Sequence, residues 1–568
     1  MEKAESDIVK KKSNMKHKVS TQRRRFGEFF TPLPFAKKAL EYIERSLGKE
    51  WWKSGEYRLW DMATGTGNLE YYLPQDALKY CYLSTYYDGD VEHLEKLFPD
   101  STIFQYDYLN DDVNQVFAQN GKTLKMTHSW KMPETLRNDL NNPKLKWIIL
   151  INPPFATAQE AGMKGKSKAR VADTLVRQRM HSENLGEVSR ELFSQFIYRI
   201  KNEFEGKQAF LGLFSKLKYL NANNDQRLRD KIFHFSFLNG FVFSSVNFHG
   251  TSRSSQFPIG FILWDLLDKK KVEHQKIVLD AFNEQVEKFS IKEMNTVGKE
   301  HHLSKWIVRP PATQKFPPFS SAIKLGIDNV DKRDRIAPGF LASLMCAGND
   351  FQQQMKTAFL SGPQVSAGAL SVTPENFEQA VVVFAARLLP KITWLNDGDQ
   401  WMQPNKKLSK TFITDCAVWS LFSGNNHTVA MKNVKYQRKT YQIVNHFFPF
   451  SPQDFSGGVI ADWDIEQSRR RLRNTFVADW LALQKLSPLA KKILESARQV
   501  YAMFYGSLNL LLRTPKFKIE TFDAGWWQIR MALQDANSGE EELSEVKMLH
   551  NKMREKLLKQ LVEYGIVG

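Results

Sequence analysis

From Phe26 onward, short apolar runs of strand length alternate with helical periodicity or polar loops. Leu59-Trp60-Asp61-Met62, Tyr82-Leu83-Ser84-Thr85-Tyr86-Tyr87, Thr102-Ile103-Phe104 and Trp147-Ile148-Ile149-Leu150-Ile151 lead the series. Repetition of strand, crossover and strand predicts a parallel sheet covered by helices on both faces. Ligands of such sheets bind beyond the carboxyl ends of the strands. The alternation continues through Ala209 to Phe214, Phe241-Val242-Phe243 and Phe257 to Trp264, then fades at Lys269-Lys270-Lys271. A Rossmann-like α/β domain over 26–268 is therefore expected, followed by a mixed α/β or mainly helical region over 269–568.

Residues 1–25 hold hardly any large apolar side chain and end in Arg23-Arg24-Arg25, the pattern of a mobile basic tail. Beyond the boundary, Pro310, Pro311, Pro317 and Pro318 suggest a linker or irregular surface. Helical periodicity returns over roughly 466–505 and 538–564. The second stretch reads as an amphipathic helix capped by Ser538 with Glu541 three residues on, and Val546, Leu549, Met553, Leu557 and Leu561 form its stripe.

Composition narrows the class. A chain of 568 residues with 42% apolar content supports two or three cores. The net charge of +18 attracts polyanions and favours nucleic acid over a small neutral substrate. Cys81, Cys346 and Cys416 are far apart, which argues against a disulfide framework or a zinc site, so no metal is expected and the compartment is reducing. No apolar run approaches the ~20 residues that span a bilayer, and the N-terminus has no apolar signal core, so a cytoplasmic protein without membrane partners is expected.

Candidate chemistry sits at the strand ends. Asp61-Met62-Ala63-Thr64-Gly65-Thr66-Gly67 is a strand end followed by a Gly-x-Gly turn, where the backbone can approach a ligand closely. Asp88 follows the next strand, where a Rossmann-like site holds ribose hydroxyls, and Asp90 is the better placed to cap the following helix. Asp107 closes the third strand and is positioned to accept from an adenine amino group. Asn152-Pro153-Pro154-Phe155 ends the fourth. A purine amine is a poor nucleophile because its lone pair is delocalised into the ring. Two acceptors aimed at its hydrogens, the Asn152 side-chain oxygen and the Pro153 carbonyl, favour the pyramidal form that attacks a sulfonium methyl. The prolines stiffen the turn, and Phe155 offers a ring for an extruded base.

The ordered set Phe29-Phe30-Thr31-Pro32, Asp61 to Gly67, Asp88, Asp107 and Asn152 to Phe155 resembles the amino-methyltransferases of bacterial restriction-modification systems, in their gamma order. The resemblance covers about residues 26–268 and implies S-adenosylmethionine as cofactor. Phe30, Thr31 and Pro32 would line its methionine and adenine ends, and Asp61, Thr64, Gly65 and Gly67 would surround its amino acid part. It further implies site-specific N6-adenine methylation of duplex DNA by base flipping, with target recognition in the C-terminal half. Cysteine and serine are common in relatives near Thr64 and Thr66, and the matches at Leu192 to Phe196, Phe214 to Lys216 and Asn247 to His249 are loose.

Lys164, Lys166, Lys168 and Arg170, with Arg177 and Arg179, follow the catalytic turn, where DNA backbone would pass. In the C-terminal half, Arg438 and Lys439 interleave with Tyr436 and Tyr441, and Arg469, Arg470, Arg471 and Arg473 cluster. Asn433, Gln437, Gln442 and Asn445 are candidates to read adenine edges. No nuclease pattern is evident and only a short tail precedes the Phe-Phe-Thr-Pro segment, so a self-contained modifying enzyme is expected. The alternatives are the modification subunit of a multi-subunit restriction complex, partnered by a restriction endonuclease or specificity subunit, and an RNA or protein-glutamine methyltransferase.

Overall fold

The computed structural model describes residues 30–118, 129–155, 174–248, 256–326, 333–365, 368–451, 476–506 and 515–567. The basic tail, Phe29, Lys164, Lys166, Lys168, Arg170, His249 and the arginines at 469–473 lie outside the described residues. The chain divides into two units, one of Met1–Gly298 with Thr393–Gly398, the other of Lys299–Ile392 with Asp399–Gly568.

The first unit is built on a nine-stranded sheet. Its strands are β1 (Tyr57–Asp61), β2 (Cys81–Thr85), β3 (Thr102–Gln105), β4 (Lys146–Ile151), β5 (Ala209–Lys216), β6 (Ser236–Ser244), β7 (Pro258–Asp265), β8 (Ile277–Phe282) and β9 (Lys288–Met294). They lie in the order β3-β2-β1-β4-β5-β7-β6-β8-β9. Strands β1 to β5 are parallel. Strand β7 runs antiparallel to β5 and β6, a direction that an apolar run of strand length does not encode. This is the Rossmann-like α/β architecture that the alternation predicts.

Both faces of the sheet are covered, which explains the continuous apolar runs. Leu59, Leu83, Ile148, Leu150, Phe210 and Phe214 enter one core. Trp60, Tyr82, Trp147, Ile149, Ile151 and Leu211 enter the other. Helix α1 (Leu33–Leu47) closes the first core with Phe35, Ala36, Ala39, Leu40 and Ile43, and the Phe35 ring stacks on Phe243 at 3.9 Å. Helix α2 is Asp88–Leu97, and α3 (Leu192–Glu203) covers the opposite face through Phe193, Phe196, Ile197 and Ile200. The lysine cluster at 269–271 falls between β7 and β8, and the sheet runs on to Met294. Phe289 and Trp394 meet within this unit at 6.1 Å, and Trp394 and Leu395 pack against its second core.

The second unit is mixed α/β. Strands β10 (Gln314–Lys315) and β11 (Arg335–Ile336) pair with each other. Strands β12 (Ala342–Cys346), β13 (Thr357–Leu360), β14 (Ala369–Val372) and β15 (Asn426–His427) form a sheet ordered β14-β12-β13-β15, and β16 (Met431–Tyr436) and β17 (Lys439–Ile443) form a hairpin. Helices α4 (Phe377–Leu388), α5 (Lys410–Leu421), α6 (Phe476–Ala482), α7 (Pro488–Gly506), α8 (Trp526–Asp535) and α9 (Glu540–Glu563) supply most of its core.

Two boundaries differ from the sequence reading. The periodic stretch to 505 is broken after Ala482, and α7 restarts at Pro488, where Ser487 Oγ accepts from Ala490 N at 3.2 Å. Ser538 does not cap α9: its N–H donates to Leu533 O at 2.9 Å, closing the end of α8, and Gly539 at φ 68 precedes the helix instead. The predicted stripe from Val546 to Leu561 is the buried face of α9.

Candidate active site

Strands β1 and β4 are neighbours within the parallel part of the sheet, and their carboxyl ends carry the glycine turn and the Asn-Pro-Pro-Phe turn. Asp61, the last residue of β1, is fully buried. Its Oδ1 accepts from Ala63 N at 2.7 Å, and its backbone oxygen accepts from Thr64 Oγ1 at 3.1 Å and Ser84 Oγ at 3.2 Å. The turn is thereby tied to the strand that produces it. Gly65 and Gly67 adopt φ 56 and 76, the left-handed region in which a side chain is strained. A Cβ on Gly67 would also lie 2.4 Å from Phe98 Cε2, whereas one on Gly65 would come no nearer than 3.5 Å to any neighbour, the Phe30 ring.

The segment Phe30-Thr31-Pro32 binds the two turns together. Asn68 Nδ2 donates to Thr31 O at 2.8 Å, and Thr66 Oγ1 donates to Asn68 Oδ1 at 3.1 Å. Asn152 Nδ2 donates to the buried Thr31 Oγ1 at 3.0 Å. Residues more than a hundred positions apart in sequence thus meet at one place. The bond also orients the Asn152 amide, because with the nitrogen engaged the oxygen is the opposite end. Pro32 precedes α1, and Phe35 N and Ala36 N donate to Pro32 O at 3.0 Å, so the first turn of that helix anchors the segment. Pro153 is buried; Phe155 is half-buried and packs against the core shared with Leu59 and Leu150.

Glu70, which the sequence reading passed over, lies against Asp61. Both side chains are fully buried, and among the described residues Asp61 Oδ2 and both Glu70 oxygens meet no donor from another group. Burial pushes the Asp61 carboxyl up to about 7 despite the Ala63 amide, and burial together with the Asp61 charge drives Glu70 well above the usual carboxylate range. Two bare carboxylates buried together repel strongly, which favours a proton held on the pair. The available signal was an acid in the otherwise apolar run Leu69 to Leu73.

The other acids stand at the ends of β2 and β3. Asp88 is exposed in the first turn of α2. Asp90 is not the cap of that helix, because Asp90 N already donates to Tyr87 O at 3.1 Å and the helix begins two residues earlier; Thr85 Oγ1 reaches Asp90 Oδ2 at 3.4 Å. Asp107 Oδ1 accepts from Leu109 N at 3.1 Å and Oδ2 from Asn110 Nδ2 at 2.7 Å, so this acid also organises its own turn. Of the cations after the Asn-Pro-Pro-Phe turn, Arg179 is tied to Asn114 Oδ1 at 3.0 Å and lies over the Phe117 ring.

In the second unit, Arg438 and Lys439 are exposed at the tip of the β16–β17 hairpin, whose two turn residues, Gln437 and Arg438, have φ 45 and 63. Gln437 is folded back, donating to Tyr436 Oη at 3.0 Å and accepting from Lys315 Nζ at 3.2 Å. Asn445 is buried and accepts from Phe447 N at 3.0 Å. Gln437 is thus tied to neighbouring side chains, and Asn445 holds the backbone of its own turn. Asn433 and Gln442 stay on the surface and bond to each other at 3.2 Å. Among the described residues, no cluster of three or more His, Cys, Asp or Glu side chains could hold a metal ion, and no helix is long and apolar enough to cross a membrane.

No family model and no curated protein matches this chain. Solved structures do. A DrdV–DNA complex aligns over 50% of this chain and 31% of its own at 13% identity and a TM-score of 0.33. The type IIG restriction endonuclease BpuSI aligns over 46% of this chain and 28% of its own, at 15% identity and a TM-score of 0.28. A TehB-like SAM-dependent methyltransferase from Corynebacterium glutamicum is covered over 87% of its length by 41% of this chain, at 10% identity and a TM-score of 0.19. The chain therefore spans less than a third of DrdV and of BpuSI.

Proposed function

We propose that the protein is an S-adenosylmethionine-dependent DNA methyltransferase that methylates adenine N6, with Asn152, Pro153, Pro154 and Phe155 as its catalytic turn. The observation that carries this reading is the hydrogen bond from Asn152 Nδ2 to Thr31 Oγ1 at 3.0 Å. It joins the turn that would act on an amine to the segment that, by resemblance, lines the cofactor.

The donor set fits that cofactor. Gly65 has no side chain and leaves backbone open to close approach beside the buried Asp61 carboxyl. Thr64, Gly65 and Gly67 would surround the amino acid part, Phe30 to Pro32 the methionine and adenine ends, Asp88 the ribose and Asp107 the adenine amine. The bound cofactor would supply an electrophilic methyl group.

The chain's own contribution is electronic and positional. Asn152 Oδ1 and Pro153 O accept the two hydrogens of the base amine and localise its lone pair for attack. Thr31 keeps the Asn152 amide from rotating, and the prolines hold both acceptors in register. The exposed part of the Phe155 ring offers a stacking face for a base extruded from the duplex. The charge of +18 supports a polyanionic substrate, with Lys164, Lys166, Lys168 and Arg170, which follow the Asn-Pro-Pro-Phe turn in sequence, and Arg438 and Lys439 in the C-terminal unit as phosphate contacts. A restriction endonuclease or specificity subunit would be the natural protein partner.

Modified-base sequencing of DNA from cells producing the wild-type chain or Asn152→Ala tests this directly. N6-methyladenine at a short recurring motif, absent with Asn152→Ala, is the expected result. Methylcytosine at that motif, or labelling of RNA or protein but not DNA by labelled methyl donor, would overturn the assigned substrate.

A further inference from the structure

The second unit contains a cavity of about 610 Å³ between α8, the first turns of α9 and the segment after α5. Arg530 of α8 lines it. The Nε atom of this half-buried guanidinium is closed off from solvent, and among the described residues Arg530 makes no ion pair or hydrogen bond. Burial lowers its tendency to stay charged. The fully buried arginines are compensated: Arg199 faces Glu203, Arg229 faces Glu273, and Arg387 donates to Thr357 Oγ1 and to backbone oxygens of Ala347, Gly348 and Gln353.

A desolvated cation without a counter-charge is unfavourable unless a ligand provides one. The exposed Lys547 adds a second positive charge to the lining, and the acid there, Glu540, is exposed in the first turn of α9. His550 lines the cavity in its neutral form, since burial pushes it down to about 4 and its Nε2 bonds to Trp419 O. Phe422 and Trp526, edge-to-face with each other at 5.3 Å, supply apolar wall. The volume falls within the ~300–1,000 Å³ of small-molecule sites and exceeds what a bare phosphate fills.

We propose that this cavity binds a nucleoside monophosphate, with Arg530 and Lys547 on the phosphate and the Phe422 and Trp526 rings against the base. Bidentate guanidinium–phosphate pairing would satisfy the buried Nε, and aromatic walls accept any base. The inference is independent of the methyl-transfer reading.

Isothermal titration calorimetry on the full-length chain tests it, with guanosine monophosphate, guanosine and inorganic phosphate as probes after saturation with S-adenosylhomocysteine. The monophosphate should bind well above either fragment, and Arg530→Met should weaken it roughly 10- to 100-fold. Arg530→Lys should retain part of the affinity, with unchanged thermal melting in both variants. A duplex bearing a 5′-phosphate, run as a further arm, separates a free nucleotide from a strand end. Equal binding of guanosine and its monophosphate, or unchanged affinity in Arg530→Met, would sink the proposal, as would absence of binding by every probe.

Discussion

Thr31 Oγ1 receives the Asn152 amide at 3.0 Å, and the consequence of removing that acceptor follows from geometry. Thr31→Val keeps the shape but frees the amide to rotate. We expect kcat to fall about tenfold or more with little change in KM for DNA, because orientation in the transition state is lost and substrate binding is not. Thr31→Ser should recover most of the rate. The Asp61–Glu70 pair makes a pH prediction. Both carboxyls titrate above their unfolded value, so the stabilising contribution is complete below about pH 4 and is lost as the pH rises through about 7. Glu70→Gln removes one titrating group yet keeps a donor toward Asp61. Its melting temperature should fall less than that of the wild type between pH 5 and 8, and parallel pH curves for the two proteins would refute the shared proton.

At the scale of the element, the two glycines of the turn after β1 are distinguishable. Gly67→Ala combines a left-handed backbone at φ 76 with a Cβ 2.4 Å from Phe98 Cε2, and should cost about 2–4 kcal/mol in denaturant unfolding. Gly65→Ala, at φ 56 and 3.5 Å from its nearest neighbour, pays only the backbone strain of about 1–2 kcal/mol. The β16–β17 hairpin offers the opposite case. Gln437 and Arg438 hold positive φ where a two-residue turn favours Asn-Gly, so Arg438→Gly should stabilise the hairpin by a few tenths of a kcal/mol up to ~1. If the tip contacts phosphate, the same variant should bind DNA more weakly, with its salt slope reduced by about one. Higher stability with unchanged DNA affinity would assign Arg438 no role in binding.

At the scale of the whole molecule, the first unit is completed by Thr393–Gly398, a return of the chain that no local pattern announces. Trp394 packs on the core of that unit and beside Phe289, so Trp394→Ala should lower the unfolding free energy of the N-terminal unit by roughly 1–3 kcal/mol. A fragment ending at Gly298 would lack this cover. Unfolding followed by tryptophan fluorescence and by limited proteolysis of the N-terminal unit measures the effect.

The sequence by itself determined the parallel strands β1 to β5 and the turns at their ends, because apolar runs long enough to be buried on both faces have few other uses and because glycine and proline punctuate the chain where it must bend. It placed Asp61, Gly65, Gly67 and Asn152 at strand ends for the same reason. Direction and partnership were decided by tertiary structure. The antiparallel β7, the extension through β8 and β9, the Thr31–Asn152 bond and the buried Asp61–Glu70 pair all depend on which side chains meet across long separations. So does the difference between Asn445, buried in a turn, and Asn433 on the surface. Identical residue types take opposite roles there because burial and hydrogen-bond partners, which no single position records, set what a side chain can do.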